Sequence, residues 1–443
     1  MVMRIPAALV SIFLCTHSLA ADLTHGPMLG HTTATTVRVW VRADGACQLR
    51  ARAVPVTGGD AIVSGPVRLT EDDNFCGSTR IEGLSPRTTY KYRVLLDGKE
   101  QPATLVQQVT TFPRPGEPSI IRIGFGHSLG NSKGEQITWR TATARKPDLF
   151  ILMGDNIYSN STDPARQRPM YLAFRNDPHF RAFASRTPIY AIYDDHDYGK
   201  DNSDRTQPGK ERSLKTFNEL WPNPPSQAQG VPGIWTRFTV GGCEFFLMDV
   251  RYHRSPNEDP DGPDKTMLGA EQRQWLTDSL AASRAVFKFP VSGSSWHCGG
   301  QEAWNHPFAH EYDTILKQIT AKRVPGIILL GGDQHACKIN VRPGHTWGGY
   351  DLHEWMAGRI WNGDPESRAF GIITVDTETS PPAARLEFID EEGNPKYGRR
   401  VPYTRPGDTV KMWDHLLRVA GVPREEMPHV KQSKTPWDGE VRP

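Results

Sequence analysis

The chain predicts two folds in succession, an all-β sandwich and then a layered α/β domain. Three observations carry this. Between residues 22 and 113, apolar and polar residues alternate in short strand-like runs separated by turn residues. From Ile121 onward, apolar runs alternate with helical stretches, the order expected of an α/β domain. Several of these runs are apolar without interruption, as in strands buried on both faces.

The start of the chain reads as a secretory signal over residues 1–21. Arg4 supplies the positive end, Ala7 to Cys15 the apolar stretch, and Ser18-Leu-Ala20-Ala21 the small-residue cleavage site. There is no twin-Arg pair, so Sec-type export to the periplasm or the exterior is expected. No later run is long enough to cross a bilayer. The remaining cysteines are Cys47, Cys76, Cys243, Cys298 and Cys337. This odd number leaves at least one thiol unpaired within the chain. Cys47 and Cys76 lie in the same early region, and a disulfide there is one pairing the sequence allows. No C-x-x-C pair occurs, which excludes the commonest zinc-finger and thioredoxin-like patterns. The formal net charge of +2 gives no strong pull toward nucleic acid or an anionic membrane.

Within residues 22–113, Thr36-Val-Arg-Val-Trp-Val41 and Thr88-Thr-Tyr-Lys-Tyr-Arg-Val-Leu95 alternate as strands. Gly58-Gly59, Gly83-Leu-Ser-Pro86 and Asp97-Gly98 supply turns. The segment Gly83 to Tyr92 resembles the corner of a fibronectin type III-like sandwich, with a structural Tyr packed at the corner. Pro113-Arg-Pro115-Gly-Glu-Pro118 reads as a linker.

The second domain is expected over residues 119–422. Ile121 to Phe125, Leu149 to Met153, Pro188 to Tyr193, Phe245 to Met248, Ala285 to Val291 and Ile327 to Leu330 read as strands. Gln136 to Arg145, Pro164 to Ser185, Ala270 to Ser283 and His310 to Ala321 read as helices between them. Gly371 to Val375 and Ala384 to Phe388 add later strands. Residues 423–443, rich in Pro and charge, read as an irregular tail.

Three loops carry the chemistry. Each follows a strand, where α/β sheets place their ligand sites. The first is Gly154-Asp155-Asn156-Ile157-Tyr158, the second Asp194-Asp195-His196-Asp197, and the third Gly332-Asp333-Gln334-His335. A single Gly-Asp after a strand is ordinary turn chemistry. Carboxylates as close as Asp194, Asp195 and Asp197 repel one another unless a cation or a basic group compensates. Carboxylates with imidazoles suit hard and borderline cations. Taken together, the loops indicate a site for two or more metal ions, with Asp155, Asp195, Asp333 and His335 as candidate ligands.

These motifs also resemble the PhoD-type alkaline phosphatases and phosphodiesterases of the calcineurin-like metallophosphoesterase superfamily. Gly26-Pro-Met-Leu-Gly30, Val39-Trp-Val-Arg42, Asp249-Val-Arg251, Leu268 to Leu276 and the three loops carry the resemblance across nearly the whole mature chain. It implies a metallophosphoesterase-like β-sandwich flanked by helices, and hydrolysis of small phosphate mono- or diesters by metal-activated water. By the resemblance, Asp155 bridges the metals, and Tyr158 and His335 complete an iron-type (Fe³⁺) position. Asp195 and Asp333 hold a second ion, expected to be Ca²⁺. His196 protonates or stabilises the leaving oxygen, and Asn156, Asp194 and Asp197 support the ligands. Arg251 either faces the phosphate or pairs with Asp249.

One departure stands out. Where the family carries a Cys ligand after its first strand, this chain has Phe125-Gly126-His127-Ser128-Leu129-Gly130. A neutral hydroxyl is a poor Fe³⁺ ligand, so either His127 takes over, or the metal differs, or the site is weakened. The same stretch matches the G-x-S-x-G elbow of serine esterases, with Ser128 as nucleophile and Asp333 and His335 as partners. A third reading is a relic site that binds Ca²⁺ or phosphate without turnover. Gly293-Ser-Ser-Trp-His297 is read as packing or capping.

Overall fold

The computed structural model describes residues 21–130, 136–300, 302–361, 363 and 367–402, without the side chains of residues 397, 399, 400 and 402. The signal segment up to residue 20, the irregular tail and the last part of the second domain lie outside the described residues.

The first unit contains β1 (Leu23–Thr32), β2 (Thr36–Ala43), β3 (Cys47–Pro55), β4 (Ile62–Val63), β5 (Val67–Leu69), β6 (Cys76–Glu82), β7 (Thr89–Leu96), β8 (Lys99–Glu100) and β9 (Gln108–Thr110). One antiparallel sheet has the order β1-β2-β6; the other is β4-β3-β7-β8, with β5 on β3 and β9 on β7. Alternate residues such as Leu49, Ala51 and Ala53 on β3 and Tyr90, Tyr92 and Val94 on β7 fill the space between them. The Tyr90 hydroxyl accepts from the Ser85 backbone N–H at 2.8 Å, which fastens the corner the sequence predicted. Cys47 and Cys76 are not bridged. They belong to different sheets, and Cys76 packs into the core of the following domain while Cys47 faces the sandwich core.

The second unit runs β10 (Ile120–Gly126), α1 (Ile137–Arg145), β11 (Leu149–Met153), α2 (Pro164–Arg175), α3 (Pro178–Ala184), β12 (Ile189–Ile192), α4 (Asp195–Tyr198), α5 (Lys210–Leu220), β13 (Thr236–Val240), β14 (Cys243–Leu247), α6 (Gly269–Ala282), β15 (Phe287–Ser292), α7 (Ala309–Ala321), β16 (Ile328–Gly331), β17 (Lys338–Arg342), β18 (Leu352–Met356), β19 (Ala369–Asp376), β20 (Ala383–Asp390) and β21 (Pro395–Pro402). Two sheets form, ordered β12-β11-β10-β19-β20-β21 and β13-β14-β15-β16-β18-β17. In the first, β10, β11 and β12 are parallel. In the second, β14, β15, β16 and β18 are parallel.

Strand periodicity divides the second sheet's side chains between two cores. Cys243, Phe245 and Leu247 of β14 and Ile328 and Leu330 of β16 join the large core shared with the first sheet. Their neighbours Phe246 and Leu329 face the other way, onto α6 and α7. On β11, all five residues are buried and belong to the large core.

The sandwich packs directly on this domain. Trp40 Nε1 donates to the Glu219 carbonyl at 2.9 Å, the Tyr92 hydroxyl to the Ser185 carbonyl at 2.8 Å, and the Tyr190 hydroxyl accepts from the Thr32 N–H at 3.1 Å. Met28, Trp40, Cys76 and Phe112 enter the large core itself.

Candidate metal centre

The carboxyl ends of the parallel strands from both sheets meet at one place. Gly154 after β11 has φ +96°, and a Cβ there would lie 2.5 Å from the Asp194 Cβ. Gly332 after β16 leaves no room either, since a Cβ would stand 2.4 Å from the Gly293 carbonyl oxygen and 2.8 Å from that of Met153. The glycines of the first and third loops thus permit backbones to close to a distance that any side chain would block. Ser128, Asp155, Asp333 and His335 all occupy the left-handed region, at φ +56°, +52°, +72° and +50°. Such conformations cost roughly 1–3 kcal/mol each and concentrate at functional sites.

The first two loops are fastened to each other by Asp197. Its carboxylate accepts from the backbone N–H groups of Asn156 (3.0 Å) and Ile157 (3.1 Å), from Asp194 N–H (3.2 Å) and from the Tyr171 hydroxyl (2.7 Å). Asn156 Nδ2 donates to the Ile192 carbonyl at 2.9 Å. Asn156 and Asp197 therefore hold the loops together.

Asp155 sits at the centre, 3% exposed. Its Oδ2 accepts from the Tyr158 hydroxyl at 3.1 Å and lies 3.4 Å from Ser128 Oγ and 3.7 Å from His335 Nε2. Its Oδ1 is buried without a hydrogen-bond partner. Oxygen and nitrogen atoms of Asp155, Asp195 and His196 all fall within 4.8 Å of one another. Asp195 Oδ2 accepts from Asn202 N–H at 2.8 Å. His196 Nδ1 contacts Asn160 Oδ1 at 2.6 Å, which fixes that nitrogen as the donor and turns Nε2 to the other side of the ring. The His196 ring lies 4.2 Å from that of Tyr158. Asp333 Oδ2 accepts from Gln334 Nε2 at 2.9 Å.

Electrostatics at this place favour a cation. Burial, then the charges of Asp195, Asp194, Asp197 and Asp333, push the Asp155 carboxyl well above the usual carboxylate range. Burial, with Glu302 adding, raises Asp333 to about 6. Burial, then Arg359 and His196, lower His335 to about 4. An unpartnered buried carboxylate oxygen amid like charges fits a multivalent cation, and the O and N donors suit ions of the hard and borderline kinds.

Arg251 is a correction to the sequence reading. It is fully buried and does not face the opening. Its guanidinium contacts Asp194 at 2.5 Å, Glu302 at 2.6 Å and Asp195 at 3.6 Å. Asp249 instead accepts the Arg251 backbone N–H at 3.0 Å. Burial alone would lower the guanidinium pKa, but Asp194, Glu302 and Asp195 outweigh it and raise it. Burial raises the Glu302 carboxyl, but Arg251 and Arg254 outweigh that and hold it down at about 2. Arg251 is thus the brace that holds Asp194 and Asp195 in place.

The serine-esterase arrangement is absent. Ser128 is fully buried, and its Oγ contacts His127 Nδ1 at 2.8 Å. His335 turns to Tyr158 instead, with Nε2 at 3.0 Å from the hydroxyl. His127 has its other nitrogen on the Ala357 carbonyl at 3.1 Å, so both ring nitrogens are engaged. Burial, then His335, lower His127 to about 3. His297 lies buried against Tyr312, in keeping with a packing role.

Sequence reasoning missed Glu302, Asn160, Asn202 and Arg359. Arg359 follows the buried β18 through Ala357-Gly358, the same strand-then-glycine layout as the three loops, and this was the one available signal.

Comparison with known proteins decides the family. Residues 127–350, just over half the chain, match the profile of the PhoD-like phosphatase family. The chain belongs to the PhoD-like phosphatases. Residues 20–113 match a domain of unknown function, DUF7800. A curated relative, alkaline phosphatase D of Bacillus subtilis (strain 168), is 22% identical over 309 residues, covering 58% of this chain. The chain spans about half the length of that relative, 52% of it. Among solved structures, one of PhoD superposes with a TM-score of 0.72 at 17% identity, covering 86% of this chain and 92% of the other. Purple acid phosphatase PPD1 from yellow lupin (Lupinus luteus) seeds superposes at 0.59 and 12% identity, covering 85% and 73%. Both likenesses establish this PhoD-like chain's fold: all-β sheets, then an α/β domain of the kind found in PhoD and purple acid phosphatase.

Proposed function

We propose that this protein hydrolyses small phosphate esters, monoesters and diesters alike, with two or more bound metal ions, Fe³⁺ and Ca²⁺ being the first pair to test. The observation that carries the reading is the buried Asp155 carboxylate with an unpartnered oxygen among Asp194, Asp195, Asp197 and Asp333. Asp155 would bridge, with Asp195 and Asp333 on one side and Tyr158 and His335 on the other. Cations held there would supply Lewis acidity toward water and the phosphate oxygens. Asn160 orients His196 through Nδ1, and in the doubly protonated ring Nε2, which stands 3.5 Å from Asp201 Oδ1, would give a proton to the leaving oxygen. Arg251 acts only through Asp194 and Asp195. The reaction takes place outside the cytoplasm, in the periplasm or beyond, a reading supported by the Arg4 to Ala21 sequence.

The test is hydrolysis of bis-p-nitrophenyl phosphate and p-nitrophenyl phosphate by purified protein, with and without chelator, beside a carboxylic ester. Phosphoester turnover that chelator removes is expected, and Asp155→Ala and Asp333→Ala should abolish it with loss of one metal equivalent. Turnover equal to wild type in both variants overturns the reading. Metal binding without any turnover would favour the relic.

A further inference from the structure

The two ends of the pocket are built differently. At one end stand the carboxylates of Asp155, Asp195 and Asp333, with His196 within 4.8 Å of the first two. At the other end stands a chain of hydrogen bonds that begins at Arg359. Its Nη2 lies 2.8 Å from His335 Nδ1. A guanidinium has donors only, so His335 Nδ1 accepts, and a neutral ring then carries its proton on Nε2. That Nε2–H has the Tyr158 oxygen at 3.0 Å, and the Tyr158 hydroxyl in turn donates to Asp155 Oδ2. Beside them, His127 Nε2 meets the Ala357 carbonyl, which can only accept. His127 Nδ1 therefore accepts, and Ser128 Oγ is its donor at 2.8 Å.

His335 and Tyr158 thus have their protons directed where a cation would have to sit or to draw a lone pair, while the His127 lone pair on Nδ1 is taken up by Ser128. Metal-bound imidazoles elsewhere give their second N–H to a carboxylate or carbonyl, which leaves the other nitrogen free to ligate. Arg359 imposes the opposite polarity on His335. Its place is fixed by backbone as well: Ile360 N–H donates to the His127 carbonyl at 2.9 Å, and residues 127 and 359 form a parallel bridge.

We propose that Arg359 sets the proton of His335 on Nε2 and so makes the two ends of the pocket unequal. The Asp155–Asp195–Asp333 end takes a cation tightly; the Ser128–Tyr158–His335 end takes one weakly. The inference rests on the metallophosphoesterase reading and adds an order of filling to it, with Arg359 as the positioning residue that decides that order.

The test is calorimetric titration of metal-free protein with Mn²⁺ and with Ca²⁺, joined to metal analysis after dialysis. Wild type should retain one equivalent and bind a second in a separate, weaker step. Arg359→Gln presents a carbonyl oxygen that accepts from Nδ1–H and frees Nε2. It should tighten the second step by about 10–100-fold and leave the first unchanged. With Fe³⁺, a visible phenolate-to-iron band from Tyr158 should appear in Arg359→Gln at concentrations where wild type shows none. Side-chain ¹⁵N–¹H spectra of wild type should place the His335 proton on Nε2, a readout that needs no variant. Two equally tight equivalents in wild type, a proton on Nδ1, or an unchanged second step in folded Arg359→Gln each overturn the proposal. Two unequal steps without phosphoester turnover would uphold it and count against the proposed activity instead.

Discussion

Arg251 and Arg175 are both fully buried, by opposite means. Arg251 lies among carboxylates, with Asp194, Asp195 and Glu302 around its guanidinium. Arg175, the last residue of α2, is surrounded by rings: Trp221 at 4.4 Å, Phe174 at 4.9 Å, Trp40 at 5.1 Å and Tyr171 at 5.5 Å. Its donors go to the carbonyls of Tyr171 (3.0 Å) and Leu220 (2.8 Å). The first guanidinium is driven to a higher pKa by its neighbours; the second is lowered by burial to about 10. Arg251 neutralises charges that the site needs. Arg175 fills a seam between the sandwich and the α/β domain, held by ring quadrupoles and backbone dipoles. A buried charge therefore says little by itself, and its partners say which task it serves.

Substitutions can break this contrast. Arg251→Met should have the largest effect, about 3–5 kcal/mol of stability, because buried Asp194 loses its cation and Glu302 keeps only Arg254. Phosphoester turnover should fall with it by about 10–100-fold as Asp194 and Asp195 lose their brace. Chemical denaturation and steady-state rates check both. Arg175→Met should cost about 1–3 kcal/mol, for two carbonyls lose donors, while kcat in the folded protein stays at the wild-type value. A drop in kcat for Arg175→Met would erase the distinction. A double-mutant cycle of Arg251→Met with Glu302→Met should show coupling of about 0.5–3 kcal/mol, the pair costing less than the sum. Smallest is Tyr90→Phe in the sandwich, about 1 kcal/mol for one hydrogen bond to Ser85, with activity untouched.

Local pattern revealed what depends on local pattern. The three loops were readable because each follows an unbroken apolar strand and breaks on glycine with a carboxylate beside it. The structure brings Asp155, Asp195, Asp333, His196 and His335 to one place, with Tyr158 and Ser128 in contact with Asp155. Of the two roles the sequence left open for Arg251, facing the phosphate or pairing with Asp249, neither named its side-chain partners, which stand 57 and 51 positions away. Glu302 and Arg359 carry no periodic signal, since their partners are set by the meeting of two sheets. β18 escaped notice for a related reason. His353 and Glu354 interrupt its apolar run, yet both are buried, and Glu354 accepts from the N–H groups of Trp296 (2.6 Å) and His297 (3.0 Å) and from Asn340 (2.8 Å). A polar pair inside a strand looks like a loop until its partners are known. Cys47 and Cys76 failed as a pair because neighbours along the chain need not share a sheet.

Pro113 to Pro118 reads as a linker after the sandwich, and Trp40, Met28 and Phe112 reach across from the sandwich side into the neighbouring core. Gly30 is pressed so closely on Pro222 that a Cβ would stand 2.3 Å from its ring. The stretch from Pro113 to Pro118 is therefore a weld rather than a hinge. Cutting the chain there should yield two pieces that travel together through size-exclusion chromatography. The α/β half expressed alone should expose a greasy scar where Trp40 had been and come out of solution.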